Sequence, residues 1–289
     1  MKKLKLPAAL LLIGAMLLSF ALTANATDGA PIPKNLELST YRGVSVGGRL
    51  SATDPEGGKV TFEITTPPIK GTLDLDDNGH FVYTPDSGKR GKDYFGYKAI
   101  DADGNRSQEG TVIIKIQKQE SKVCYADLEN LSCGYAAQRL AEEDIFVGEC
   151  LAGDYVFSPD APVTRSEFLL MCMKIAGAEP LTGVRTTGFE DDREIHTWAK
   201  PYVSAALERG IIAGYYEGDS AAVFGPEQTI STAEAAAILD RAIELTDAIT
   251  TWYGFEAGVP DWAVQAAANI SACGLLPDGC SFRDRKSVV

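Results

Sequence analysis

Histidine is nearly missing from this chain, with two among 289 residues. That excludes a multi-histidine metal centre and leaves little room for imidazole acid–base chemistry. The six cysteines form no Cys-x-x-Cys pair and no zinc spacing with histidine, so redox and zinc motifs are excluded too. No nucleophile elbow, zincin signature or phosphate loop occurs. Beyond Leu22 no stretch reaches roughly 18 uncharged apolar residues, so no later membrane span is expected, and the C-terminus offers no anchor signal. Basic residues are scarce, 27 against 40 acidic for a net charge of −13, which argues against a general nucleic-acid binder. What is present is 45% hydrophobic residues, enough for buried cores. The length suits two domains at roughly 100–200 residues each.

The N-terminus reads as a leader. Lys2, Lys3 and Lys5 precede an apolar stretch from Ala8 to Leu22, followed by the small-x-small site Ala24-Asn25-Ala26. The stretch is short for a membrane anchor, and no cysteine follows it for lipid attachment. Residues 1–26 are therefore expected to be a signal peptide, with an exported mature chain starting near Thr27. Without the three leader lysines the charge is −16, distributed as −1 over residues 27–118 and −15 over 119–289. All six cysteines lie in the second part. The polar run Gln117–Lys122 marks the boundary, and residues 119–123 read as a linker.

Residues 27–118 read as antiparallel β. Val60-Thr-Phe62-Glu-Ile64-Thr alternates apolar and polar, Asn78-Gly79 signals a hairpin turn before Phe81-Val82-Tyr83, and Thr111–Ile116 is a β-branched closing strand. Leu50-Ser-Ala-Thr-Asp-Pro-Glu-Gly57, Lys70-Gly-Thr72, Phe81-Val-Tyr-Thr-Pro85 and Gly91-Lys-Asp-Tyr-Phe95 occur in an order that resembles the bacterial cadherin-like, Ig-like module of surface proteins. The resemblance implies an all-β sandwich used as a spacer or adhesive module. Asp54, Glu56, Asp101, Asp103 and Asn105 are hard oxygen donors on loops and thus calcium candidates, although such residues also serve turns alone.

Residues 119–289 read as helical and contain a repeat. Phe157-Ser-Pro159, Val163-Thr164 and Glu167 recur as Phe224-Gly-Pro226, Ile230-Ser231 and Glu234 at a constant offset of 67. Ile145–Gly148 matches Ile211–Gly214, and Asp261-Trp262-Ala263 opens a third unit as Thr197-Trp198-Ala199 opens the second. Thr164-x-x-Glu167 and Ser231-x-x-Glu234 are capping boxes, followed by the apolar stripes Phe168, Cys172, Ile175, Ala176 and Ala235, Leu239, Ala242. A single helix pair has too little core, so the repeats must pack on one another.

These features, with Tyr125-Ala-Asp127 and Phe189-Glu-Asp191, resemble the S-layer homology (SLH) domain over residues 123–284. The resemblance implies a three-pronged spindle of helices that holds surface proteins on a pyruvylated or otherwise anionic secondary cell-wall polysaccharide. It places Arg165 against a ligand carboxylate, Gly148 as a source of backbone amides and Trp198 under a sugar ring. Thr164, Glu167, Gly214, Ser231 and Glu234 complete the expected contact set. Thr232 stands where the second repeat would carry its arginine, so the second groove is expected to lack its cation. The third repeat stops matching at Ser281-Phe-Arg-Asp284, which leaves the spindle incomplete.

Plainer structural roles compete for the same residues. The capping boxes account for Thr164, Glu167, Ser231 and Glu234 without a ligand, and Trp198 and Trp262 suit the core of amphipathic helices. For Arg165 the alternative is a surface ion pair. Proximity pairs Cys124 with Cys133 and Cys273 with Cys280, leaving Cys150 and a buried Cys172. The sequence thus describes a multidomain, non-enzymatic surface protein: a signal peptide (1–26), a β-sandwich (27–118), a linker (119–123) and all-α SLH repeats at 124–180, 186–246 and, in part, 252–289. Its expected partners are the wall polysaccharide and S-layer or other surface proteins, with no nucleic acid. No cofactor is expected beyond the calcium candidates. An adhesin whose sandwich binds a protein or glycan, or a wall-tethered glycan hydrolase, is the alternative.

Overall fold

A computed structural model describes residues 29–215, 222–253 and 259–276. The expected leader and the end of the third repeat, with Cys280, fall outside them. Strands β1 (Ile32–Pro33) and β4 (Ala52–Thr53) form a short pair beside two larger sheets. One sheet has the order β2-β9-β8-β5, from β2 (Leu36–Tyr41), β5 (Thr61–Thr66), β8 (Gly91–Ile100) and β9 (Gly110–Gln117). The other runs β3-β7-β6, from β3 (Val46–Arg49), β6 (Gly71–Leu75) and β7 (His80–Pro85). The inward residues of both sheets make the core: Phe81, Tyr83, Phe95, Tyr97, Val112 and Ile114 are all buried. Phe81 and Phe95 meet edge-to-face at 5.2 Å.

The β6–β7 turn follows from the sequence. Gly79 takes φ +84, and the Asp76 carboxylate accepts the Asn78 and His80 amides, each at 2.8 Å. One pairing departs from the antiparallel expectation. β2 lies parallel to β9, in register from Leu36↔Val112 to Tyr41↔Gln117, so the first long strand and the last run side by side in the same direction. Asp93 on β8 is 1% exposed, and its carboxylate accepts the Tyr83 hydroxyl at 2.8 Å and the Ile69 and Lys70 amides at 3.2 and 2.8 Å. Burial and that carboxylate together push the Tyr83 phenol far above its ordinary range.

Of the calcium candidates, Asp54, Asp101 and Asn105 are engaged with their own loops. Asp54 accepts the amides of Glu56 and Gly58, and Asp101 those of Asp103 and Asn105 together with the Asn105 side-chain amide. Among the described residues no three His, Cys, Asp or Glu side chains group as metal ligands.

The helical part contains α1 (Gly134–Glu142), the hairpin β10 (Glu149–Leu151) and β11 (Asp154–Val156), α2 (Arg165–Ile175), α3 (Lys200–Glu208), α4 (Thr232–Ile243) and α5 (Val264–Ala272). The repeat seen in the sequence is a repeat of bonds. Asp127 accepts the Phe157 and Ser158 amides at 3.0 and 2.7 Å, and Asp191 accepts the Phe224 and Gly225 amides at 2.8 and 2.7 Å. In each unit the aromatic ring two residues before the aspartate meets the phenylalanine, Tyr125 on Phe157 and Phe189 on Phe224. Among the described residues no helix is long and apolar enough to cross a membrane.

Two sequence expectations change here. On α2 the buried face is Leu169, Cys172 and Met173, while Ile175 is exposed, because the helix is covered both by α3 and by α4 rather than along one stripe. Cys124 and Cys133 are free rather than bridged. Cys133 is the N-cap of α1, half-buried at the domain junction, whereas Cys124 lies exposed on the segment that leads to the Tyr125–Tyr155 bridge. Cys273 is also free. Burial pushes the Cys172 thiol up to about 12, so it is expected to resist a thiolate-directed reagent until the protein unfolds. Exposed Cys124, Cys150 and Cys273 are expected to react at once. Mass spectrometry of the labelled native protein decides this, and early labelling of Cys172 would contradict it.

The second repeat carries its own charge contact. Lys200 Nζ donates to Asp192 at 2.6 Å, and with the Thr187 amide it holds the Asp192 carboxyl at about 2. Because the folded pKa lies below the unfolded value of roughly 3.9, this contribution to stability is complete above that pH. It is lost as the pH falls toward 2. Lys200→Ala is expected to move the Asp192 titration toward its ordinary 3.8, read by NMR. An unmoved titration would contradict the assignment.

The segment expected to be a linker is tied down. The Glu142 carboxylate accepts the Glu120 and Ser121 amides at 2.8 and 3.1 Å, and Gln138 donates to the Val123 carbonyl at 3.2 Å. The sandwich then meets α1 directly. Gly47 N donates to Ser132 O at 3.0 Å, Ser45 Oγ donates to Leu131 O at 2.7 Å, and Tyr41 and Tyr135 pack at 5.5 Å. Only glycine suits position 47, since a Cβ there would overlap Ser132.

Candidate functional site

The site is set by how one repeat grips the next. Thr164 caps α2 in an extended conformation, with its hydroxyl accepting the Glu167 amide and Glu167 accepting the Thr164 amide. The residues just before and within this cap pair with the second repeat. Ile230 N donates to Val163 O at 3.1 Å, Arg165 N to Gln228 O at 2.9 Å and Ser166 N to Pro226 O at 3.1 Å. Arg165, the first residue of α2, is thereby turned away from its own repeat and into the groove of the second.

That groove has a volume of about 330 Å³ and is lined by Arg165, Gly214, Tyr215, Glu234, Arg241 and Trp262 together with apolar residues. Arg165 is 6% exposed. Its guanidinium carbon lies 4.6 Å from the Tyr215 ring centre and 5.5 Å from that of Phe224. Glu234 approaches no nearer than 3.8 Å, and its oxygens are engaged elsewhere, accepting the Ser231 amide and the Tyr215 hydroxyl. Arg165 Nε is buried without a hydrogen-bond partner. Burial raises the Glu234 carboxyl, but the Ser231 amide, the Tyr215 and Ser231 hydroxyls and the Arg165 charge outweigh it and hold the group below its usual value. Burial and Glu234 push the Tyr215 phenol above its usual range. The groove thus holds an arginine whose fork is only partly satisfied.

The expected contact set divides between two grooves. Arg165, Gly214 and Glu234 come together in the one just described, with Ser231 as the cap beneath Glu234. Gly148 and Glu167 line a separate groove on the first repeat, so Gly148 does not serve Arg165. Gly148 (φ +71) and Gly214 (φ +78) play equivalent parts, as a Cβ at either would strike a carbonyl, that of Val156 or of Val223. The second groove does not lack a cation, contrary to the reading of Thr232. Its arginine comes from the preceding repeat.

Both tryptophans are exposed rather than core, Trp198 by 47% and Trp262 by 56%. Trp262 lines the Arg165 groove, while Trp198 stacks on His196, which pairs with Glu227 at 3.2 Å. Sequence reasoning missed Tyr215 and Arg241. Arg241 is exposed at the groove and donates to the Ile211 carbonyl at 3.3 Å. Lys174 at the equivalent position of the first repeat was the available signal.

Residues 28–118 match the bacterial cadherin-like domain, and residues 188–236 match the S-layer homology domain. A cellulosome-anchoring protein of Acetivibrio thermocellus is 29% identical over 131 residues, covering 44% of this chain and 27% of that protein. A cell surface protein of Thermoanaerobacter kivui is 28% identical over 131 residues, covering 44% and 16%. The exoglucanase XynX of Acetivibrio thermocellus is 35% identical over 91 residues, covering 30% and 8%. The chain therefore spans between 8% and 27% of the length of these three relatives. It carries a cadherin-like domain and an S-layer homology domain, and these likenesses indicate a location at the cell wall or cell surface.

Proposed function

We propose that this protein is held non-covalently to an anionic cell-wall polysaccharide through the Arg165 groove and displays its β-sandwich as a spacer or adhesion module. The observation that carries the reading is the buried, partly satisfied guanidinium of Arg165 in an open groove. A planar fork with one donor, Nε, left unpartnered suits a carboxylate, such as the ketal of a pyruvylated sugar, better than a point cation would. Trp262 offers an exposed ring face for a sugar, and Arg241 supplies a second cation at the rim. The acidic surroundings do not forbid this, since attraction at a groove is local when charges beyond roughly 10 Å are screened by salt. A three-pronged arrangement of the repeats belongs to the same proposal. So does the absence of catalysis: the matched domains are of anchoring and cadherin-like kinds, and the exoglucanase shares only a small fraction of its length.

The test is co-sedimentation of the mature chain with isolated cell walls before and after the secondary polymer is stripped. Binding to intact walls that disappears on stripping is expected. Equal binding to both preparations would refute the anchor.

A further inference from the structure

The first repeat has a groove built like that of the second but filled differently. It encloses about 390 Å³ and is walled by Leu140, Phe146, Val156, Phe157, Phe168 and Met171. Phe157 occupies the place of Phe224, with the edges of Tyr125 and Phe146 against its ring. Ser158 takes φ +57 where Gly225 takes φ +68, so the backbone turns alike. Glu167 stands where Glu234 stands, and Glu149 where Tyr215 stands.

What differs is the occupant. In the second groove the segment Val163–Ser166 is bonded to Pro226, Gln228 and Ile230, and Arg165 lies over the phenylalanine. Among the described residues nothing makes the equivalent bonds to the Pro159 and Ala161 carbonyls or the Val163 amide. Glu167 lines the groove and uses Oε2 for its own cap, accepting the Thr164 amide and hydroxyl. The two charged lining residues are both carboxylates, Glu149 and Glu167. Lys174, the counterpart of Arg241, is held instead by the Asp144 carbonyl at 2.6 Å. An apolar groove with an aromatic floor, two carboxylates and a backbone edge unused among the described residues is complementary to an arginine-bearing chain segment, and the second groove shows how such a segment sits.

We propose that the groove of the first repeat is a receptor for the opening of a helix, headed by Ser/Thr-Arg-x-Glu, from a different polypeptide of the same repeat type and not from a second copy of this chain, whose own Thr164–Glu167 opening is already seated in its second groove. The incoming backbone pairs with Pro159–Val163, and its arginine lies between Phe157 and Glu167. This lets different repeat-bearing surface proteins join side by side. It does not depend on which polymer the Arg165 groove binds.

The probe is a fluorescent peptide with the sequence of residues 159–176, Cys172 replaced by serine, titrated with the mature chain. Saturable binding is expected, weakened at least about tenfold by Arg165→Ala in the peptide. The same loss is expected from Glu149→Gln with Glu167→Gln in the chain, where glutamine keeps the capping box intact. Absence of saturable binding, or equal binding of the Arg165→Ala peptide, would overturn the proposal. So would a loss seen with Glu234→Gln but not with the Glu149/Glu167 variant, since the peptide would then have displaced α2 from the second groove. Concentration-dependent dimers of the chain that vanish in the Glu149/Glu167 variant would assign the groove to a second copy and overturn it as well.

Discussion

Arg165→Ala is expected to reduce binding to intact cell walls by at least about 30-fold, from the roughly 2–5 kcal/mol that a desolvated arginine–carboxylate pair is worth across an interface. Arg165→Lys is expected to recover little of it, because an ammonium cannot present two parallel donors to a carboxylate. The Arg165→Ala change also removes the positive charge beside Glu234, whose side chain is 18% exposed, so some loss of stability accompanies it. Tryptophan fluorescence reports on that separately, since all three tryptophans lie in the helical part. Wall binding by a folded Arg165→Ala protein equal to that of the parent would remove Arg165 from the site.

The second large effect lies in the sandwich and leaves the groove untouched. Asp93→Ala removes one acceptor from three donors, the buried Tyr83 hydroxyl and the part-buried Ile69 and Lys70 amides. Orphaned donors cost roughly 1–3 kcal/mol each, and bonds to a charged acceptor are the stronger kind. A destabilisation of about 2–4 kcal/mol is expected after allowance for rehydration of the Ile69 and Lys70 amides. Urea unfolding followed by circular dichroism reads it, and an unchanged midpoint would show that Asp93 is dispensable. Tyr83→Phe removes only one of the three bonds and is expected to cost about 1 kcal/mol or more.

Much of this organisation is legible in the residues. Alternation in Thr61–Thr66, the Asn78-Gly79 turn and the two capping boxes are local effects, and they appear where the sequence puts them. The partner of Arg165 was not legible. The resemblance put Arg165 and Gly148 in one contact set, but the backbone bonds that aim the arginine run to residues more than 60 positions away. Trp262 and Trp198 have the same local sequence setting and different surroundings, because only packing between repeats decides which of them borders a groove. The junction was hidden for a similar reason. A polar run such as Gln117–Lys122 looks like a flexible connection until Glu142 and Gln138, a helix away, are seen to hold it.

The parallel pairing of β2 with β9 has a mechanical consequence. The first long strand begins at Leu36, just after β1 of the short β1–β4 pair, and the last ends at Gln117. Tension between those two ends pulls the adjacent strands in opposite directions along their length. The ladder from Leu36↔Val112 to Tyr41↔Gln117 is then loaded in shear, with its bonds sharing the force instead of opening one at a time from an end. A module on a surface exposed to flow or traction would yield late under such a pull, as a lap joint does compared with a peeled one.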